Sequence, residues 1–153
     1  MNYITTIVAS LSCIYCAPAA PPADYDLDRV IDAIRIVETG GEKNPSEAVG
    51  DDGKSIGPFQ ISRAYWMDAI EYNPDIGGTY TDCKDESYAR QIVRAYLCRY
   101  VKTWNDEIVA RTHNGGGGIV KKKKDSKAWR NTTKYWRKVQ KHLELIPEIP
   151  FAP

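Results

Sequence analysis

The apolar residues of this chain recur at steps of three and four in several separate stretches, which is the spacing of amphipathic helices. In the first stretch they are Leu27, Val30, Ile31, Ile34 and Val37. Asp24 or Asp26 is placed to cap the start of this helix, and Thr39-Gly40-Gly41 ends it. The pattern predicts a mainly helical fold.

The same spacing predicts four more helices along the chain. We expect them at Arg63 to Tyr72, Asp85 to Val101, Asn105 to Thr112, and from Ser126 onward. In the last helix we expect the core-facing residues to be Trp129, Trp136, Val139 and Leu143.

The stretch from Ala48 to Ile61 breaks the helical pattern. Its centre, Asp51-Asp52-Gly53, has the composition of a turn between two short extended pieces, which predicts a small β-hairpin. The expected fold class is therefore α+β, mainly α.

Composition limits the class of protein further. The 153 residues, with 42% hydrophobic and 27% charged side chains, are typical of one globular domain and exclude collagen, a disordered polymer and a multi-span membrane protein. The net charge of +1 conceals an asymmetry, since residues 21–90 carry −8 and residues 91–153 carry +9. The chain is a charge dipole rather than a uniformly basic nucleic-acid binder.

The N-terminus has the composition of a secretory signal peptide. Ile4 to Cys16 is uncharged and mostly apolar, and it stops at the small residues Ala17-Pro18-Ala19-Ala20. We predict a signal at residues 1–19, a domain at 20–145 and a tail at 146–153, and hence a secreted protein without membrane attachment after cleavage. The alternative is an anchor or a buried N-terminal helix.

Removal of the signal leaves two cysteines, Cys83 and Cys98, and an oxidising destination favours a disulfide between them. On one continuous helix, however, their Cα atoms would lie about 22 Å apart, whereas a disulfide needs about 7 Å or less. Either Cys83 lies on a loop folded back along the helix, or both thiols are free. Two thiols and two scattered histidines do not make a zinc cage, so we expect no metal and no cofactor.

Glu38 is the candidate general acid. It lies four positions after Ile34 and seven after Ile31, on the face that the first helix should bury. Partial desolvation and the negative end of the helix dipole both favour a protonated carboxyl, which a general acid requires. The alternative is a solvent-facing glutamate, or one neutralised by Arg35 or Lys43.

Asp51 and Asp52 supply a second acidic group in the hairpin turn. Cleavage of a glycosidic bond uses such a pair, with a protonated acid on one side of the sugar and an ionised carboxylate on the other. A polar, solvated turn keeps an aspartate ionised. The alternative is that the triplet serves only as turn chemistry.

Six segments, in order, resemble motifs of the lysozyme superfamily, most of all its invertebrate-type (destabilase-like) members and their bacterial transglycosylase-like relatives. They are Val37 to Gly41, Ala48 to Asp51, Ser55 to Ile61, Tyr65-Trp66, Ala110 to Gly116, and Thr133 to Val139. The resemblance implies a lysozyme-like fold with the hairpin beside an active-site cleft.

The resemblance also implies roles for individual residues. Glu38 matches the family's acid, and Asp51 fits the second carboxylate best, with Asp52 one residue off. The positions that match those lining the sugar cleft are Gln60, Tyr65, His113, Asn114 and Gly115. Unlike typical members of this family, the mature chain is poor in cysteine.

The implied activity is that of a secreted muramidase that hydrolyses the β-1,4 bond between N-acetylmuramic acid and N-acetylglucosamine in peptidoglycan, in an antibacterial or digestive role. We expect a monomer acting on peptidoglycan or chitin oligomers, with no nucleic-acid partner. The alternatives are a lytic transglycosylase that uses Glu38 alone, and a non-catalytic glycan-binding or decoy protein. The basic loop Lys121 to Lys124 is either a solvated loop or a device that steers the protein toward anionic bacterial envelopes.

Overall fold

The computed structural model describes residues 20–40 and 42–146. Its five α-helices are α1 (Leu27–Thr39), α2 (Arg63–Tyr72), α3 (Glu86–Tyr100), α4 (Asp106–Gly115) and α5 (Lys127–Leu143). Short 3-10 turns lie at Pro45–Glu47, Asp51–Gly53, Pro74–Ile76, Tyr80–Lys84 and Ile119–Lys121. The mainly helical prediction is confirmed, and the predicted signal peptide lies outside the described residues.

Each of the five helices begins after a side chain that accepts a hydrogen bond from a backbone N–H of its first turn, which satisfies one of the donors left free there. The caps are Asp26, Ser62, Asp85, Asn105 and Ser126. At its other end, α1 stops at Gly40, whose left-handed backbone (φ 58°) lets its N–H bond the carbonyl of Ile36. Because α1 ends here, Glu38 lies in the last turn of the helix.

The predicted hairpin has three strands instead of two. The antiparallel strands β1 (Val49–Gly50), β2 (Ser55–Ile56) and β3 (Ile61–Ser62) are in sequential order. The third strand forms because the chain turns back between Gly57 and Gln60, both with left-handed φ, and the Gln60 N–H bonds the Gly57 carbonyl. A Cβ at Gly57 would lie 2.1 Å from the Cys83 carbonyl oxygen, so only glycine fits there.

The core lies between the helices. α1 and α4 both pack on α5, α2 packs on α3, and the sheet lies beside the start of α2. The fully buried side chains include Ile31, Ile34, Phe59, Ile61, Ile92, Leu97, Val109 and Val139. Three ion pairs, Arg35–Glu86, Arg90–Asp32 and Arg94–Asp28, also join α1 to α3.

Two details of the helical prediction need adjustment. α4 continues to Gly115, three residues beyond the predicted end, so His113 and Asn114 lie in its last turn and not in a loop. Trp129 is buried as expected, whereas Trp136 is only half-buried.

Cys83 and Cys98 are both free thiols, which excludes a disulfide between them. Cys83 is buried in the 3-10 turn before α3, and Cys98 lies near the end of that helix. Cys83 and Cys98 therefore lie at opposite ends of this segment. This agrees with the helical spacing, which predicted a separation too large for a disulfide.

Within residues 20–40 and 42–146, no helix combines the length and the apolar composition needed to cross a bilayer. Ile146, where the predicted tail begins, packs against the core, and its carbonyl accepts a hydrogen bond from Arg29. The rest of that tail, residues 147–153, lies outside the described residues.

Candidate active site

Glu38 lies in the last turn of α1, and its side chain is 16% exposed. Its Oε1 atom accepts a hydrogen bond of 2.7 Å from the hydroxyl of Tyr135 on α5. The Nε2 atom of His113 on α4 lies 3.2 Å from the same oxygen. Two helices far along the chain therefore hold one oxygen of this carboxyl group.

Tyr65 extends this network on the far side of His113. Its hydroxyl lies 3.1 Å from His113 Nδ1, and its ring stacks on Tyr96 with centroids 3.5 Å apart. Burial, followed by neighbouring Tyr96 and Glu38, raises the pKa of Tyr65 well above its usual value. Burial, then the charge of Glu38 and the hydrogen bond to it, does the same for the pKa of Tyr135. Both phenols therefore keep their protons at neutral pH and remain available as donors.

Arg111 sets the position of α4, and with it the position of His113. The Arg111 side chain is buried at 3% exposure, and its Nη1 donates to the Trp129 carbonyl and to the Thr132 hydroxyl on α5. Glu107, one turn earlier on α4, neutralises the guanidinium at 2.8 Å. A buried charge that is paired and fully hydrogen-bonded in this way fixes how the two helices pack.

The carboxyl of Glu38 opens into a pocket of about 190 Å³. Part of its lining, which we call the helical wall, consists of Glu38, Tyr65, His113 and Asn114 from α1, α2 and α4. The rest of the lining, the hairpin wall, consists of Asp51, Ser55, Gln60 and Ser62. Six of the seven predicted site residues therefore line one pocket.

The hairpin wall carries the second carboxylate. Asp51 is exposed and follows β1, and it lines the pocket, whereas Asp52 does not. Three non-glycine residues of this wall segment, Asp51, Asp52 and Gln60, have φ between 48° and 55°. Such left-handed backbone is strained for residues other than glycine, although aspartate tolerates it better than most, and it recurs at functional sites.

Two predicted binding residues behave differently from expectation. Gln60 lines the pocket, but its amide braces the hairpin, because Oε1 accepts from Ser55 and Nε2 donates to the Gly57 carbonyl. Gly115 does not line the pocket; a Cβ there would lie 2.7 Å from Thr132 on α5. Its lack of a side chain thus allows α4 and α5 to approach closely.

The sequence did not identify Ser55, Ser62 or Tyr135 as site residues. Ser62 has a sequence signal, since it is the N-cap of α2. Tyr135 belongs to one of the family-like segments but is 97 positions away from Glu38, and no local pattern pairs them. A larger cavity of about 580 Å³ lies at the other end of α1 and is lined by residues that include Tyr25 and Trp104. None of the predicted site residues lines it.

The sequence profile of the Destabilase family matches residues 31–142, and the chain belongs to this family. The matched region includes every residue of both pocket walls and also Tyr135. The recognition of a destabilase-like member of the lysozyme superfamily is thereby confirmed.

Relatives in the family carry the name lysozyme. The chain is 35% identical over 91 residues to Lysozyme 1 of Crassostrea virginica, covering 56% of this chain and 44% of that protein. It is 37% identical over 93 residues to a lysozyme of Meretrix lusoria, covering 57% of this chain and 66% of that protein. With an Ostrea edulis lysozyme the identity is 38% over 72 residues, covering 42% and 50%. The chain thus spans about half the length of the curated relatives it matches.

A solved structure shares the fold. It is the crystal structure of Aeromonas hydrophila PliI in complex with Meretrix lusoria lysozyme, in which a matching chain superposes with a TM-score of 0.58 at 31% identity. The match covers 76% of this chain and 89% of the other. The lysozyme-like fold class is therefore confirmed.

Proposed function

We propose that this protein is a lysozyme that hydrolyses the β-1,4 bond between N-acetylmuramic acid and N-acetylglucosamine. The observation that carries the proposal is that two carboxylates, Glu38 from the helical wall and Asp51 from the hairpin wall, line one pocket. Glycoside hydrolysis needs an acid on one side of the scissile bond and a carboxylate on the other. The lysozymes of three bivalve species among the relatives support the same activity.

Glu38 acts as the acid in this proposal. Tyr135 and His113 both approach Oε1, so the proton for the leaving-group oxygen resides on Oε2. The Tyr65 hydroxyl holds the His113 ring in its orientation by hydrogen-bonding Nδ1, so that Nε2 faces Glu38. Once the leaving group has gone, the ionised Glu38 takes a proton from the attacking water.

Asp51 acts as the nucleophile or as the electrostatic stabiliser of the oxocarbenium-like centre. Its exposed position keeps the carboxylate solvated until a saccharide displaces water. Asn114, exposed at the pocket rim, supplies a side-chain amide for the acetamido groups of the substrate.

The biological setting belongs to the proposal as well. We infer secretion, an antibacterial or digestive role, and action as a monomer on peptidoglycan, with chitin oligomers as a second substrate. Secretion is supported by the signal-like composition of residues 1–19.

A second candidate is a lytic transglycosylase that uses Glu38 alone. It is favoured by one contrast: Glu38 is held by two side chains, whereas Asp51 is exposed on a short 3-10 turn. Mass spectrometry of the fragments released from purified sacculi separates the two reactions. We expect reducing N-acetylmuramic acid ends; anhydro ends would contradict hydrolysis, and no release at all would indicate a glycan-binding or decoy protein.

A further inference from the structure

The outer side of α5 and the loop before it form one basic surface, which we call the basic face. It consists of ten exposed residues: Lys121, Lys122, Lys123, Lys124, Lys127, Arg130, Lys134, Arg137, Lys138 and Lys141. Asp125 is the one acidic residue between positions 121 and 143. The inner side of α5 is buried against the core through Trp129, Thr132, Val139 and Leu143, so the whole charged side faces solvent.

These cations take no part in the ion pairs that link the described elements, although Arg130 donates a hydrogen bond to the Asp125 carbonyl. Among the described residues, ion pairs involve seven of the eleven lysines and arginines outside the basic face and none of the ten on it. Like charges without partners repel one another, which costs stability. An anionic partner that binds the basic face would neutralise these charges and would explain why the repulsion among them is retained.

The charges form a line rather than a cluster. Lys127, Arg130, Lys134, Lys138 and Lys141 follow one another at steps of three or four residues. At 1.5 Å per residue they define a straight stripe about 21 Å long, with a charge every 5 Å or so. Such a stripe matches a linear polyanion with regularly spaced charges.

The composition of the basic face distinguishes between classes of polyanion. Among the described residues, the exposed large apolar side chains are Val49, Met67 and Leu145, so none lies on the face to insert into a membrane. The face also has no exposed aromatic ring on which nucleic-acid bases could stack. Eight of its ten cations are lysines, which bind phosphate as point charges without directional recognition.

We propose that the basic face binds the linear polyol-phosphate polymers of bacterial cell walls. The polymer backbone supplies phosphodiester charges that neutralise the stripe, with release of counterions. Lys134 precedes Tyr135 and Lys138 follows it by one turn, and Tyr135 donates to Glu38, so the polymer would lie along the helix that holds the candidate acid. Retention of the enzyme on its wall substrate rests on the proposed function, but polymer binding itself does not.

Binding to soluble poly(glycerol phosphate), which contains no glycosidic bond, tests the proposal separately from lysis. Calorimetric titration compares the parent, the double variant K134Q/K141Q, and the matched control K43Q/K102Q, which removes two exposed lysines elsewhere. At about fivefold per lost charge, we expect K134Q/K141Q to bind about 25-fold more weakly and the control to bind within twofold of the parent. Equal losses in the two variants, or none in either, would overturn the proposal.

Two further arms identify the partner class. We expect affinity to fall more than tenfold between 50 and 200 mM salt, and expect weaker binding to single-stranded DNA and to anionic phospholipid vesicles at equal phosphate concentration. Tighter binding to either would assign the basic face to that partner instead. Release of muropeptides from sacculi stripped of their phosphate polymers reports the proposed hydrolysis independently. On these sacculi K134Q/K141Q should release muropeptides at the parent rate, and its rate should be lower than the parent's only on unstripped walls.

Discussion

The two walls of the candidate active site are built in opposite ways. On the helical wall, Glu38 and His113 lie on different helices and are largely buried. Hydrogen bonds link Glu38 to Tyr135, 97 positions away, and His113 to Tyr65, 48 positions away. On the hairpin wall, Asp51 is exposed and is held by a left-handed backbone between strands of two residues each. The contrast indicates that the core fixes the proton donor, whereas only local backbone geometry fixes the second carboxylate.

On the hairpin wall, replacement of the carboxylate gives a large expected effect. We expect D51N to lower kcat for peptidoglycan by about 10² to 10³-fold, because an amide cannot stabilise the developing positive charge. D52N is the matched control, since Asp52 is equally exposed but lies outside the pocket lining, and we expect it within threefold of the parent. A larger loss in D52N than in D51N would assign the role of the second carboxylate to Asp52 instead of Asp51.

Removal of a single bond on the helical wall has a smaller effect. Y135F deletes the 2.7 Å hydrogen bond to Glu38 Oε1, so we expect kcat to fall about tenfold with little change in KM. Y88F is the control, because the Tyr88 hydroxyl also donates to an acceptor, the Gly77 carbonyl, but lies away from the pocket. An unchanged kcat in Y135F, or an equal loss in Y88F, would show that the hydroxyl of Tyr135 does not assist Glu38.

The two tyrosines that contact Glu38 and His113 on the helical side predict an alkaline limit to stability. The raised pKa values of Tyr65 and Tyr135 mean that the folded state keeps these protons above pH 10, where the unfolded chain releases them. Their contribution to stability is therefore complete below about pH 10 and is lost as pH rises further. Between pH 10 and 11 the unfolding free energy of the parent should fall, and in urea titrations we expect Y65F and Y135F each to make that fall smaller by about 1 kcal/mol.

The smallest expected effect concerns the two free thiols, Cys83 beside the hairpin and Cys98 near the end of α3. Because Cys83 and Cys98 are free, reducing agents should leave both activity and melting temperature unchanged. Burial raises the pKa of Cys83 to about 12, so a thiol reagent at pH 8 should label half-buried Cys98 first and Cys83 only on unfolding. If reduction of the native protein increased the number of free thiols, Cys83 and Cys98 would not both be free.

The contrast between the walls also explains what the sequence could predict. Periodicity along α1 placed Glu38 on a buried face, because helical spacing is a local property that the core then uses directly. The turn composition of Asp51-Asp52-Gly53 predicted the hairpin, but one residue of register was left open, and the third strand depends on the unusual φ of Gln60.

Long-range contacts were the part that the sequence could not supply. Tyr135 reaches Glu38 because α1 packs on α5, whereas Arg111 and close packing at Gly115 bring α4, with His113, against α5. No spacing rule relates residues on separate helices across such loops. The resemblance to a family gave the order of the motifs, whereas the bonds among their side chains required the fold.

The central claim is that Glu38 delivers the catalytic proton. The most direct test is the rate of muropeptide release by E38Q, which keeps the shape and the Oε1 acceptor of the side chain but has no acidic proton. With melting temperature and binding to sacculi unchanged, we predict a loss of about 10³-fold in kcat. A folded E38Q protein that releases muropeptides within tenfold of the parent rate would contradict the account.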